Sequence, residues 1–205
     1  MKLKAIASMC KRSKQIMLVD IGVDNQCCVQ WVGDGTAMYP LYGMPHLEED
    51  QIYTLFDVPE KDVGKMMFNS FRTDDDECIG LNFADTDNEE HELEQIGLSL
   101  VVGSGIVRPY RTSNGGVLFL DTAALTPIND ALDYLTMHER TTRAGQTYVA
   151  VKNGLLLQGI IMPMKIEKRQ LMNRLLELCD MVRTNIEQEN YMSGSDDQMA
   201  FEDKD

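Results

Sequence analysis

Apolar side chains recur at helical spacing through residues 3–14. Ala5, Ile6, Met9 and Cys10 fall on one side and Lys4, Ser8, Lys11 and Lys14 on the other, which predicts an amphipathic helix with a basic outer face. The period then shortens to two. Residues 15–20 and 27–32 read as extended runs around a Gly22-Val23-Asp24-Asn25 turn, and Asp34-Gly35 separates them from residues 36–42, a pattern of antiparallel hairpins. After Pro45, the acids Glu48, Glu49 and Asp50 suit the first turn of a short helix carried by Ile52, Leu55 and Phe56 and ended before Pro59. Strands are predicted at residues 65–71, 78–83, 96–102 and 105–110, and Asn114-Gly115-Gly116 turns the chain into 117–120. Asp121 or Thr122 can cap a third helix over residues 122–135, striped by Leu125, Ile128, Leu132 and Leu135, with Pro127 early enough to be tolerated. Residues 146–151 and 155–162 form a hairpin in which Asn153-Gly154 supplies two positive-φ residues. From residue 167 to 183, Leu171, Leu175, Leu178 and Val182, supported by Met172 and Cys179, mark a long amphipathic helix as the last ordered element.

This order predicts an α+β fold of mainly antiparallel sheets with about four helices, not a sheet of βαβ crossovers. A helix leading into a hairpin occurs twice, at residues 5–32 and 122–162, without a residue-by-residue repeat. The division expected is an N-terminal half at 1–95, a C-terminal half at 96–185 and an acidic mobile tail at 186–205.

Charge changes this picture more than size does. The 205 residues carry a net charge of −14, which argues against a nucleic-acid partner until its distribution is examined. Residues 72–94 hold ten acids and one base, and residues 186–205 seven acids and one base, so the remaining body is close to neutral. The tail and, within the first stretch, residues 73–77 and 85–94 read as solvated segments, the latter as charged loops between strands. Within the neutral body, Lys4, Lys11 and Lys14 on the first helix and Lys168, Arg169 and Arg174 on the last are candidates to face DNA phosphates. Trp31, Tyr39 and Tyr42, in a Met-rich stretch, are candidates for a partner surface, with core packing as the alternative.

No catalytic residue and no metal ligand set is assigned, and no cofactor is expected. Asp85, Asp87 and Glu89 alternate like a calcium loop, but Glu90 stands where the turn glycine belongs and Ile96 where the bidentate acid belongs. Gly103-Ser104-Gly105 lacks a third glycine and continues as strand, so it is not a dinucleotide fingerprint. Neither a phosphate-binding G-x-x-x-x-G-K-[ST] loop nor a G-x-S-x-G elbow is present. His46, His91 and His138 show no ligand spacing, and Cys10, Cys27, Cys28 and Cys179 read as small core residues. The five cysteines are read as free thiols of a cytoplasmic protein, because residues 1–14 carry five bases without a signal-length apolar run, and no run is long enough for a membrane.

Helices that each lead into antiparallel hairpins, with no catalytic signature, resemble the DNA sliding clamp (processivity factor) fold. The match is strongest from Val117-Leu118-Phe119-Leu120-Asp121-Thr122 through the following helix and the hairpin at 148–162, and it covers about half the chain as pattern. In that family helices face duplex DNA and sheets form the outer wall. The resemblance therefore implies a non-enzymatic protein that binds DNA or a replication-type protein and self-associates as a homo-oligomer, with no membrane partner. Glu48, Glu49, Asp50, Asp130 and Asp133 depart from a phosphate-facing lining. The alternative is an acidic interaction module or regulator, of the kind a mobile element carries, whose acidic loop and tail meet a basic partner.

Overall fold

A computed structural model describes residues 1–23, 26–72 and 80–199, with no account of the side chains of residues 23, 26–28, 130–133, 168, 170 and 189–199. The protein is α+β with mainly antiparallel sheets. Helix α1 (Leu3–Ser13) ends at Lys14, whose left-handed φ of 57° turns the chain into strand β1 (Gln15–Val23). Strands β2 (Gln26–Gly33) and β3 (Ala37–Pro40) complete a meander. The Asp34-Gly35 turn is built by one carboxylate oxygen: Asp34 Oδ1 accepts from the N–H groups of Thr36 and Ala37 and from the Thr36 hydroxyl. Helix α2 (Glu49–Leu55) starts with a capping box between Glu48 and Gln51, and a short helix α3 (Glu60–Val63), not anticipated from the pattern, follows Pro59.

Strand β4 (Met67–Arg72) pairs parallel with β1, the exception in an otherwise antiparallel sheet. Residues 78–79 of the strand expected at 78–83 lie outside the described residues, and residues 80–83 form no ladder. A second sheet is made by β6 (Glu94–Gln95), β7 (Leu100–Val102), β8 (Gly105–Arg111) and β9 (Val117–Asp121). The third helix is a 3₁₀ helix, Thr122–Tyr134, with Pro127 inside it. Pro127 removes one backbone donor and crowds the preceding turn, which disfavours a regular α-helix there.

The large sheet runs β4-β1-β2-β3-β12-β11-β10-β5, where β5 is His91–Glu92, β10 Leu135–Thr141, β11 Thr147–Asn153 and β12 Leu156–Ile161. The β11–β12 hairpin closes as expected, but Gly154 (φ 61°) and Leu155 are its turn residues and Asn153 pairs with Leu156. One positive φ at the first turn position is the glycine-first pattern of a II′ turn, not the double-positive I′ pattern. The helix-to-meander unit thus occurs twice, α1 before β1–β3 and the 3₁₀ helix before β10–β12. The two units meet antiparallel where β3 pairs with β12 through Met38–Ile160 and Ala37–Ile161.

Alternating residues give this sheet two buried faces. Ile16, Leu18, Tyr39, Val149, Val151 and Ile161 join Ile6, Cys10, Ile52, Phe56, Leu125 and Ile128 in the core under the helices. Met17, Val19, Trp31, Met38, Tyr148 and Ile160 point the other way, against Leu81 and Phe83. The Tyr39 hydroxyl donates to the Ala124 carbonyl and so ties β3 to the 3₁₀ helix. Tyr39→Phe strands that buried carbonyl, with an expected loss of about 1–2 kcal/mol read from urea unfolding.

Residues Met1–Met164, which include both helix-to-meander units, are one compact unit, and a second begins at Lys165. The second is helix α4 (Lys168–Met199). Residues 186–199, expected as tail, continue this helix, and residues 200–205 lie outside the described residues.

Candidate nucleic-acid interface

Helix α1 buries Ile6, Ala7, Met9 and Cys10 and leaves the opposite side to Lys4, Ser8, Lys11 and Arg12. This face follows from the 3.6-residue period: once the apolar stripe packs on the sheet, the bases one and two turns apart share the solvent side. Lys14 stands exposed one residue beyond the helix. Lys11 Nζ donates to the Asp57 carbonyl at 2.8 Å, which braces the ammonium at the end of α2 while leaving its charge unneutralised. No acid among the described residues pairs with Lys4, Arg12 or Lys14. Arg12 was not singled out in the sequence; its place on the polar sector, in line with Lys4 and Ser8, was the available signal.

The described part of the neighbouring 3₁₀ helix carries no charged side chain, whereas Asp57, whose carbonyl Lys11 holds, is itself an exposed acid. Thr126, Asn129 and Tyr134 are the exposed residues among those described in the 3₁₀ helix, which packs beside α1 with Lys2 N–H bonded to the Pro127 carbonyl. Side chains of Asp130 and Asp133 are outside the described residues. Glu48, Glu49 and Asp50 are exposed at the start of α2, the end away from Asp57 and hence from Lys11. Arg169 and Arg174 are exposed on α4, in the second unit, and the Lys168 side chain is outside the described residues.

The aromatic candidates divide differently. Trp31 and Tyr39 are 1% and 0% exposed and belong to the two cores, so neither offers a partner surface. A central strand between two covered faces has no solvent side, which is why strand spacing put them inside. Tyr42 is half exposed, its hydroxyl donating to the Leu157 carbonyl at 3.1 Å. Trp31 meets Phe83 edge to face at 5.2 Å.

That contact belongs to an unforeseen feature. Residues 80–83, expected as part of a strand, and residues 85–90, expected within a solvated charged loop, together lie on the second face of the sheet. Arg140, on β10, is buried and donates from Nε to Glu90 Oε2 at 2.8 Å and from Nη1 to the carbonyls of Asn82 and Ala84 at 3.1 and 2.8 Å. Its Nη2 reaches the Asp85 carbonyl and Glu90. Lys152 Nζ holds the other Glu90 oxygen at 2.6 Å. Burial pushes the Glu90 carboxyl up, but the bonds from Lys152 and Arg140 outweigh it and hold it below its ordinary range. Asp87 is also held low, first by the Glu89 N–H and then by the Asn82 amide. The exposed acids of this segment and of the strands that follow it include Glu89, Glu92 and Glu94, the last paired with Arg111 at 3.2 Å.

Among the described residues no three His, Cys, Asp or Glu side chains gather as a metal site. His138 lies in β10, bonded to Thr136 and held below its ordinary pKa chiefly by burial. The Cys10 thiol is pushed up to about 12, first by burial, which makes it an unreactive core group, whereas Cys179 is exposed instead of packed. Cys27, Cys28 and residues 73–79 are outside what the structure describes of side chains. A cavity of about 350 Å³ between Met17, Met38, Ile160 and Met162 has Asp34 on its wall, with Oδ1 already committed to its own turn. No helix among the described residues is long and apolar enough to cross a membrane. No family model, curated protein or solved structure matches the chain.

Proposed function

We propose that this chain is a non-enzymatic, clamp-like protein that binds duplex DNA through phosphate contacts from the exposed face of α1. The observation that carries this reading is the paired layout: two helix-to-meander units meet at β3–β12 and place α1 and the 3₁₀ helix on the same face of one sheet. The clamp resemblance implies that arrangement, with helices toward DNA. Lys4, Lys11, Arg12 and Lys14 give α1 the positive charge such a face requires.

The test is a salt-titrated anisotropy measurement on a duplex oligonucleotide. Four phosphate contacts predict a log–log salt slope of about −3 to −4. Reversing charge at Lys4, Lys11 and Lys14 together is expected to abolish binding while the unfolding midpoint stays within a few degrees, because the ammonium groups are exposed. Absence of binding at low salt, or equal binding by the triple variant, overturns the reading.

A second reading has its own observation. The acidic segment is fastened to the body by Arg140 and Lys152, which presents Glu89, Glu92 and Glu94 from a fixed base as an acidic interaction module would. Capture of a basic protein that is lost on Glu89→Lys/Glu92→Lys, without DNA binding, would favour it.

A further inference from the structure

We propose that α4 is a self-association helix that pairs antiparallel with α4 of a second copy of this chain. This is independent of DNA binding by α1.

Leu171, Leu175, Leu178 and Val182 follow one another at spacings of four, three and four, and Met172, Cys179 and Ile186 flank them at intervals of seven. Both spacings are those of a seam between helices. Met172, Leu176, Leu178, Met181, Val182 and Ile186 are nonetheless 47–65% exposed. A stripe this broad and this exposed is more apolar surface than a helix leaves to water. Two such stripes brought together would bury on the order of 1,000 Å², at the lower edge of a specific protein interface.

Charge identifies the occupant and its direction. Lys168 and Arg169 are bases and no acid lies within residues 168–171, while residues 186–189, which face them when the two-fold lies between Leu178 and Cys179, carry the two acids Glu187 and Glu189 and no base. A parallel pair would stack base on base and acid on acid. An antiparallel pair sets each basic end beside an acidic end and opposes the helix dipoles. The surface is thereby complementary to itself, the condition for a two-fold dimer. Centring the two-fold between Leu178 and Cys179 places Leu171 against Ile186, Leu175 against Val182 and Leu178 against Cys179 of the second copy, so Leu171, Leu175, Leu178 and Val182 each meet another apolar side chain.

The experiment uses the full chain. Sedimentation is expected to show a dimer in the micromolar range, and Leu178→Asp with Val182→Asp to return it to monomer. Direction is read by copper-phenanthroline oxidation in a Cys179→Ser background. Leu171→Cys mixed with Ile186→Cys is expected to form a disulfide-linked dimer reversed by dithiothreitol, with neither variant linking to itself. Self-linkage of Leu171→Cys would establish a parallel pair and overturn the proposal. A monomer at all concentrations up to about 100 µM would do the same, including the case in which the double variant lowers the thermal midpoint because the stripe covers the chain's own body.

Discussion

Arg140→Met is expected to lower the stability of the protein by about 3–5 kcal/mol, a large share of what holds a domain of this size together. The guanidinium has no exposed side-chain surface and makes bonds to Glu90 and to the carbonyls of Asn82, Ala84 and Asp85. Methionine fills the volume but returns none of those bonds. Glu90 is left with Lys152 alone, and three carbonyls lose their donor. The cost arises from breaking one member of a buried cluster; replacing all its charges at once would spare the uncompensated carboxylate. Amide exchange over residues 80–90 should rise before that of the rest of the sheet. A loss below about 1 kcal/mol in urea titration would show that the loop is not held by this residue.

The same network sets an acid limit. Because Glu90 titrates in the folded protein below its ordinary value of 4.5, its contribution is fully present above that pH and disappears as pH falls through the lower folded value. Asp87 acts in the same direction. Arg140→Met removes one of the two charges that keep Glu90 ionised, so its acid unfolding should begin at a higher pH than that of the parent.

Gly33→Ala is the second substitution with a large expected effect. A Cβ there would lie 1.8 Å from the Ala37 carbonyl oxygen and 2.9 Å from Met38 Cα, both backbone atoms that no rotamer change can move. The β2–β3 hairpin must open, and with it the strand that joins the two units. A loss of about 3 kcal/mol or more is expected. Gly97→Ala is the control: nothing lies within 4 Å of its Cβ and its φ is ordinary, so it should be neutral or slightly stabilising. Equal urea midpoints for the two variants would refute the steric argument.

Much of the fold was legible in the sequence because its signals are local. The period change after Lys14, the Asp34-Gly35 turn and the acids before Ile52 each act within a few residues, and α1, the β2–β3 hairpin and α2 formed where expected. Strand β10 was not visible, and the reason is Arg140. A core-facing position occupied by arginine breaks the apolar alternation, and only its partners on a distant loop make burial tolerable. The loop misled for the complementary reason. Its acids advertise solvent, whereas Leu81 and Phe83 between them cover the sheet and Glu90 answers to Arg140 and Lys152. The exposure of Lys4, Lys11 and Lys14 was legible because a lysine opposite an apolar stripe has no reason to be buried. Trp31 and Tyr39 were ambiguous because a strand buried on both faces carries no polar side to mark its orientation.

The β3–β12 seam also orders events during synthesis. Strand β3 is complete at Pro40, but its outer neighbour is not made until residues 156–161 have been translated. At about 5–20 residues per second, the nascent N-terminal unit waits on the order of ten seconds with one edge of Ala37–Pro40 open. That edge is apolar and guarded by its brevity and by Pro40, without lysine or a bulge, so Ala37–Tyr39 is the stretch through which two nascent chains could exchange strands.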